Sequence, residues 1–183
     1  MSCRLTARAS LQCAAVAPYD ADGLDYLEGM GEENHIEFGK ALEGETALRP
    51  YLEHEAEAML AGTPDDLVAV METLLGEEDR AVLTDAFAEF VLESGAHALA
   101  PGVDGWLDDD LAFVQPWGFE LGAIERPTLL LHGEDDRFVP VSHGRWLAER
   151  IQGVEVWIGP GDGHLTLVER RLREVNDWLL ARS

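Results

Sequence analysis

Pro127-Thr128-Leu129-Leu130-Leu131-His132-Gly133-Glu134-Asp135-Asp136-Arg137-Phe138-Val139-Pro140 decides the fold of this chain, together with Gly161-Asp162-Gly163-His164 further on. A short apolar run, read as a strand over 128–132, delivers an Asp to a loop. A helix over about 141–151, a strand over 154–158, a loop and a helix over about 165–181 follow. Strand, helix, strand, helix is the pattern of a parallel α/β sheet. Right-handed crossovers put the loops after both strands on one edge of that sheet, so Asp136 and His164 are expected side by side. Alone, an Asp after a strand is most often a cap and a Gly-flanked His a loop residue. On successive strand ends, the two point to acid–base chemistry. The last helix should bury a stripe of Leu165, Val168, Leu172, Val175, Trp178 and Leu179.

The 183 residues around this core suffice for one ordinary domain. A 46% hydrophobic content with five Trp, three Tyr and six Phe fits a globular chain. Thirteen Lys or Arg against 36 Asp or Glu give a formal charge of −23. So acidic a surface repels phosphate backbones and anionic lipid, so neither nucleic-acid nor membrane partners are expected. It reads as a solubilising face rather than a dedicated cation site. Cys3 and Cys13 lack the spacing of a metal or disulfide framework, and Cys13 reads as a small buried hydrophobe. No segment is apolar enough for a membrane helix and no signal peptide is visible, so a cytoplasmic location is the expectation.

Residues 9–17 form a nearly unbroken apolar run ending at Pro18, read as a strand buried on both faces, with a buried helix as the alternative. From Asp20 to about Leu99 the character is helical. Thr63-Pro64-Asp65-Asp66 is a helix start, and the segment it opens, Leu67 to Leu75, should stop at Gly76. A further helix is expected from Glu77 to about Ser94, ended by Gly95, with Val82, Leu83, Ala86, Phe87, Phe90 and Val91 on its apolar side. Gly102 to Phe119 reads as a loop-rich passage whose aromatic rings line a substrate cavity or cover the core. Met30, Phe38, Met59 and Met71 are pocket candidates that more often serve as core. His35, His54 and His97 show no ligand spacing, so no metal site is expected.

A covalent acyl mechanism needs a nucleophile, a His to take its proton and a carboxylate to orient that His. The pattern His132-Gly133-x-x-Asp136-x-x-Val139-Pro140, with Gly163-His164 one helix and one strand later, resembles the C-terminal end of the α/β-hydrolase fold. The resemblance implies that Asp136 is the acid and His164 the base, in preference to the neighbouring carboxylates Asp135 and Asp162. It also implies a fold class: part of an α/β-hydrolase, with about three parallel strands (the last of the sheet), flanking helices and a helical cap insertion. Residues 1–19 would be the start and first core strand, 20–100 the cap, and 101–183 the C-terminal core carrying the acid and His loops. Trp106 and the Pro116-Trp117-Gly118-Phe119 segment resemble the return from the cap. Met30, Trp106, Trp117 and Phe119 become the substrate-binding candidates, suited to an apolar substrate portion. No cofactor is implied.

Family members carry Gly-x-Ser-x-Gly on the turn after the fifth strand. None of Ser2, Ser10, Ser94, Ser142 and Ser183 has that context. The expectation is therefore a hydrolase-family polypeptide shortened at its N-terminus and inactive alone. The alternatives are a non-catalytic binding remnant and one half of a two-chain hydrolase. The outer edge of the 9–17 strand would leave backbone groups unpaired and favour self-association.

Overall fold

A computed structural model of the chain describes residues 8–182. The readings that touch residues 1–7 and Ser183, Cys3 included, lie outside the described residues. Three strands form one parallel sheet in the order β1 (Ser10–Cys13), β2 (Thr128–Gly133), β3 (Glu155–Gly159). Ser10 registers with Thr128, and Leu129 with Glu155. Every residue of β2 is buried, because helices cover both of its faces. On one face Leu129 and Leu131 pack against Leu167, Val175 and Trp178 of α8 (His164–Leu180). On the other, Leu130 packs with Ala17, Ile151 and Leu147 of α7 (Val141–Ala148). Each fully buried Leu contributes about 1.5–3 kcal/mol, so this sandwich fixes the strand ends that carry the site.

The remaining helices are α1 (Glu32–Glu43), α2 (Glu45–Ala61), α3 (Pro64–Val70), α4 (Glu77–Val82), α5 (Asp85–Leu99) and α6 (Asp104–Phe113). Gly44, at φ 97°, makes the sharp turn between α1 and α2, a conformation costly for any residue with a Cβ. Thr63 caps α3 as expected, its hydroxyl accepting from the Asp66 N–H while Asp66 accepts from the Thr63 N–H. None of the described helices is long and apolar enough to cross a membrane.

Several expectations are corrected. β1 covers only 10–13 of the 9–17 run, because Ala14 turns to φ 46° and ends the ladder. It pairs with β2 alone among the described residues, so Cys13 is exposed rather than buried. The helix expected to reach Leu75 ends at Val70, since Thr73 turns to α1, where its hydroxyl accepts from the Glu32 N–H at 2.6 Å and its N–H donates to Glu33 at 3.0 Å. The helix expected over Glu77–Ser94 is two helices: Leu83 leaves helical geometry and packs with Leu67, Leu75 and Ala88. Phe90, placed on its apolar side, is exposed. Gly95 lies inside α5; a Cβ there would stand 3.2 Å from Met59 Sδ, so the glycine allows close packing rather than a stop. The passage read as loop contains α6, which forms because Val103 and Leu107 close a core with Leu48, Leu52 and Ala56 of α2. On α8 the buried stripe includes Thr166 and Leu167, while Val168 and Leu172 face outward at 49% and 57% exposure.

Candidate active site

The acid loop is held from below by the residues of its own motif. Buried His132 donates from Nε2 to the Val139 carbonyl at 2.7 Å. Burial lowers its pKa, so the ring stays neutral and can make this single donation. Gly144 of α7 leaves room for that ring, as a Cβ there would meet His132 Nδ1 at 2.6 Å. Asp136 is buried. Its Oδ1 accepts from the Phe138 and Val139 N–H groups, both at 2.9 Å, which aims Oδ2 outward. There Oδ2 meets His164 Nδ1 at 2.9 Å. The Phe138 ring stacks on the imidazole with centroids 4.6 Å apart.

The base loop depends on glycines for a different reason. A Cβ at Gly133 would lie closer than 3.0 Å to the carbonyl oxygens of Asp162 and Gly163, so β2 can pass the His loop only as glycine. Asp162 is buried and paired with Arg170 at 3.2 Å and Arg171 at 2.9 Å, which occupies this carboxylate away from His164. Asp135 is exposed, and its N–H donates to the Asp162 carbonyl. At the start of α8 stands a residue that sequence reasoning did not single out. Asp79 of α4, 0% exposed, accepts from the N–H groups of His164 (2.8 Å), Leu165 (3.0 Å) and Thr166 (2.9 Å) and from the Thr166 hydroxyl (3.0 Å). Gly163 has no side chain to cap α8, so a carboxylate from 85 residues upstream does it, where the helix dipole favours negative charge.

His164 is partly exposed and lines a cavity of about 660 Å³. Its Nε2 makes no hydrogen bond to any described residue. Met30, Trp106 and Trp117 line the same cavity, with Phe38 and Phe113. Phe119 does not: it is 56% exposed and stacks on the far side of Trp117, at 5.5 Å. Met59 faces a separate cavity beside Gly95, and Met71 packs into the core around Leu67. Glu37, Asp109 and Asp110 complete the wall. Glu37 accepts from Trp106 Nε1 at 2.8 Å. Asp110, desolvated and beside the Glu37 carboxylate, has its pKa pushed up to about 9.

No family model matches the sequence, and no curated protein matches it. Solved structures do. A bromoperoxidase from Bacillus anthracis superposes with a TM-score of 0.57 at 23% identity over 95% of this chain. An alpha/beta hydrolase fold protein from Nakamurella multipartita gives 0.56 at 23% identity over 94%. The chain has the α/β-hydrolase fold. It spans 57% and 60% of the lengths of those two proteins, so it represents a part of their architecture. A mutant meta-cleavage product hydrolase matches at 0.50 and 16% identity, over 94% of this chain and 55% of its own.

Within this portion of the hydrolase fold, the Cys13 thiol also lines the cavity. It is not hydrogen-bonded to His164. Desolvation, and then the Asp136 charge, raise its pKa and hold it as the poorly nucleophilic thiol. Asn34, which donates to the Phe138 carbonyl at 2.8 Å, ties α1 to the acid loop. Nothing in the local sequence marks Asn34 or Asp79, because their partners lie 104 and at least 85 residues away.

Proposed function

We propose that this chain supplies the acid and base of an ester- or amide-type hydrolase site, Asp136 and His164, to a nucleophile lying outside its 183 residues. The observation that carries this reading is the 2.9 Å contact from Asp136 Oδ2 to His164 Nδ1, on a ring that lines the cavity and whose Nε2 bonds to no described residue. In that arrangement Asp136 selects the Nδ1–H tautomer, and the bare Nε2 accepts the proton of an attacking hydroxyl. Asp136 then stabilises the imidazolium, which returns the proton to the leaving group. Met30, Trp106 and Trp117 offer apolar surface to the substrate, and Phe119 is left out of this role. By resemblance, the free edge of β1 is where the strand preceding the nucleophile turn would add. That strand belongs to the same polypeptide in our reading. The alternatives are a second polypeptide or a non-catalytic binding role.

On this reading the 183-residue chain alone hydrolyses nothing. Incubation with a broad serine-reactive fluorophosphonate should give no covalent adduct by mass spectrometry. An adduct abolished by His164→Ala would place the nucleophile within the chain and overturn the proposal. An in-frame Gly-x-Ser-x-Gly upstream of Met1 in the DNA would support the single-polypeptide form, and an early stop codon would oppose it.

A further inference from the structure

We infer that Asp79 is a positioning residue for the base: its Oδ2 fixes the backbone of His164 so that the imidazole meets Asp136 in one orientation. The inference rests on the reading of Asp136 and His164 as an acid–base pair. It adds that the helical stretch between β1 and β2 sets the geometry of that pair.

The two oxygens of the Asp79 carboxylate do different work. Oδ1 accepts from the Leu165 N–H at 3.0 Å, the Thr166 N–H at 2.9 Å and the Thr166 hydroxyl at 3.0 Å. Those are the second and third helical positions after Gly163, the donors that an ordinary cap satisfies. Oδ2 goes beyond the cap. It takes a single donor, the N–H of His164 itself, at 2.8 Å. His164 is therefore held at both ends, by Asp79 at its backbone and by Asp136 Oδ2 at Nδ1, 2.9 Å away. The turn is shaped around this carboxylate: a Cβ on Gly163 would overlap it, so the residue before the base has to be glycine. The Gly163 N–H donates to Thr166 Oγ1 at 2.6 Å, and that hydroxyl passes its own proton to Asp79 Oδ1.

Asp79 is itself held in place. Leu83, at the end of α4, packs into a core with Leu67, Leu75 and Ala88. Phe138 of the acid loop and Leu165 beside the base pack against that same core. Glu78, the neighbour of Asp79, pairs with Arg170 of α8 at 2.6 Å. Asn34 of α1 holds the Phe138 carbonyl. The helices between β1 and β2 thus grip both loops, and a hydrogen bond between side chains on two loops stays in one geometry only when both backbones are fixed.

Asp79→Asn is the selective cut. Its amide oxygen stays with the three donors of Leu165 and Thr166, which leaves the NH2 group facing the His164 N–H, donor against donor. Amide hydrogen exchange and two-bond ¹H–¹⁵N spectra of the imidazole rings, both on the 183-residue chain, read the result. In the wild type the His164, Leu165 and Thr166 amides should be protected, although the first amides of a helix are normally open to water. In Asp79→Asn the His164 amide should exchange at least about tenfold faster, with Leu165 and Thr166 still protected. The neutral His164 ring should then pass from the Nδ1–H tautomer to a mixture. Val175→Ala, which opens a void in the α8 core about three turns further on, controls for lost stability alone and should leave the tautomer as it is. A tautomer unchanged in Asp79→Asn, one mixed equally in Val175→Ala, or unprotected amides at the start of α8 in the wild type would overturn the inference. A wild-type ring without the Nδ1–H tautomer would refute the acid–base reading itself, and the inference with it.

Discussion

Replacing Asp79 by Ala perturbs the start of α8 while altering neither side chain of the acid–base pair. The carboxylate takes four hydrogen bonds, three of them from the first backbone N–H groups of the helix, and is shielded completely from water. In the Ala variant those N–H groups are left buried next to a small void. An ordinary cap is worth about 1–2 kcal/mol. A hydrogen bond to a charged acceptor is worth about 1.5–3 kcal/mol, and four that share one carboxylate do not add in full. We therefore expect Asp79→Ala to cost about 3–5 kcal/mol, a large share of the 5–15 kcal/mol that holds a domain together. Asp79→Asn keeps the shape and one acceptor, and should cost about 1–2 kcal/mol. Urea unfolding followed by circular dichroism reads both, provided the slope with denaturant is unchanged. Glu89→Ala, on the exposed face of α5, is the control and should shift stability by less than about 0.5 kcal/mol. A cost below about 1 kcal/mol for Asp79→Ala would refute the reasoning and mean that water caps α8 instead.

Gly133→Ala places a methyl group against two backbone carbonyls that cannot swing away, so it should destabilise by about 1–3 kcal/mol and displace the His164 loop; unchanged unfolding would show that the loop yields. Asp110 makes stability depend on pH. Its pKa of about 9 in the fold lies above the unfolded value, so the folded chain holds a proton that the unfolded chain releases. Its contribution therefore falls as pH rises from about 4 toward 9, by at most about 1.4 kcal/mol per pH unit. Asp110→Asn should gain on wild type between pH 5 and pH 8 in urea titrations, and a flat difference would contradict the assignment. The free edge of β1 predicts self-association of the isolated chain, weakened by Gln12→Lys, in sedimentation velocity; a monodisperse monomer at all concentrations would count against it.

The parallel α/β core was legible in the sequence because its signals are local. Leu129, Leu130 and Leu131 are contiguous apolar residues bounded by Pro127 and Gly133, and the strand ends place Asp136 and His164 on one edge by topology alone. What escaped was set by distant contacts. The apolar rhythm continues across Leu83 and Thr84, so nothing local announces the break that separates α4 from α5. Gly95 looks like a helix stop and is a packing site for Met59. The Gly- and Asp-rich stretch before Phe113 looks like loop, and becomes α6 only because Leu107 has α2 to pack on. In the cavity, Trp106 and Trp117 were visible as large rings, but Phe119 differs from them only in the direction it faces. Asp110 and Glu37 were hidden among 36 acidic residues.

The central claim is that Asp136 holds His164 as a neutral base protonated on Nδ1, with Nε2 bare. Two-bond ¹H–¹⁵N correlation spectra of the imidazole rings test it most directly, with the His164 signals assigned from a His164→Gln variant. The neutral His164 ring is expected as the Nδ1–H tautomer, lost or mixed in Asp136→Ala and unchanged in Asp135→Ala. A His164 ring protonated on Nε2, or one indifferent to the loss of Asp136, would contradict it.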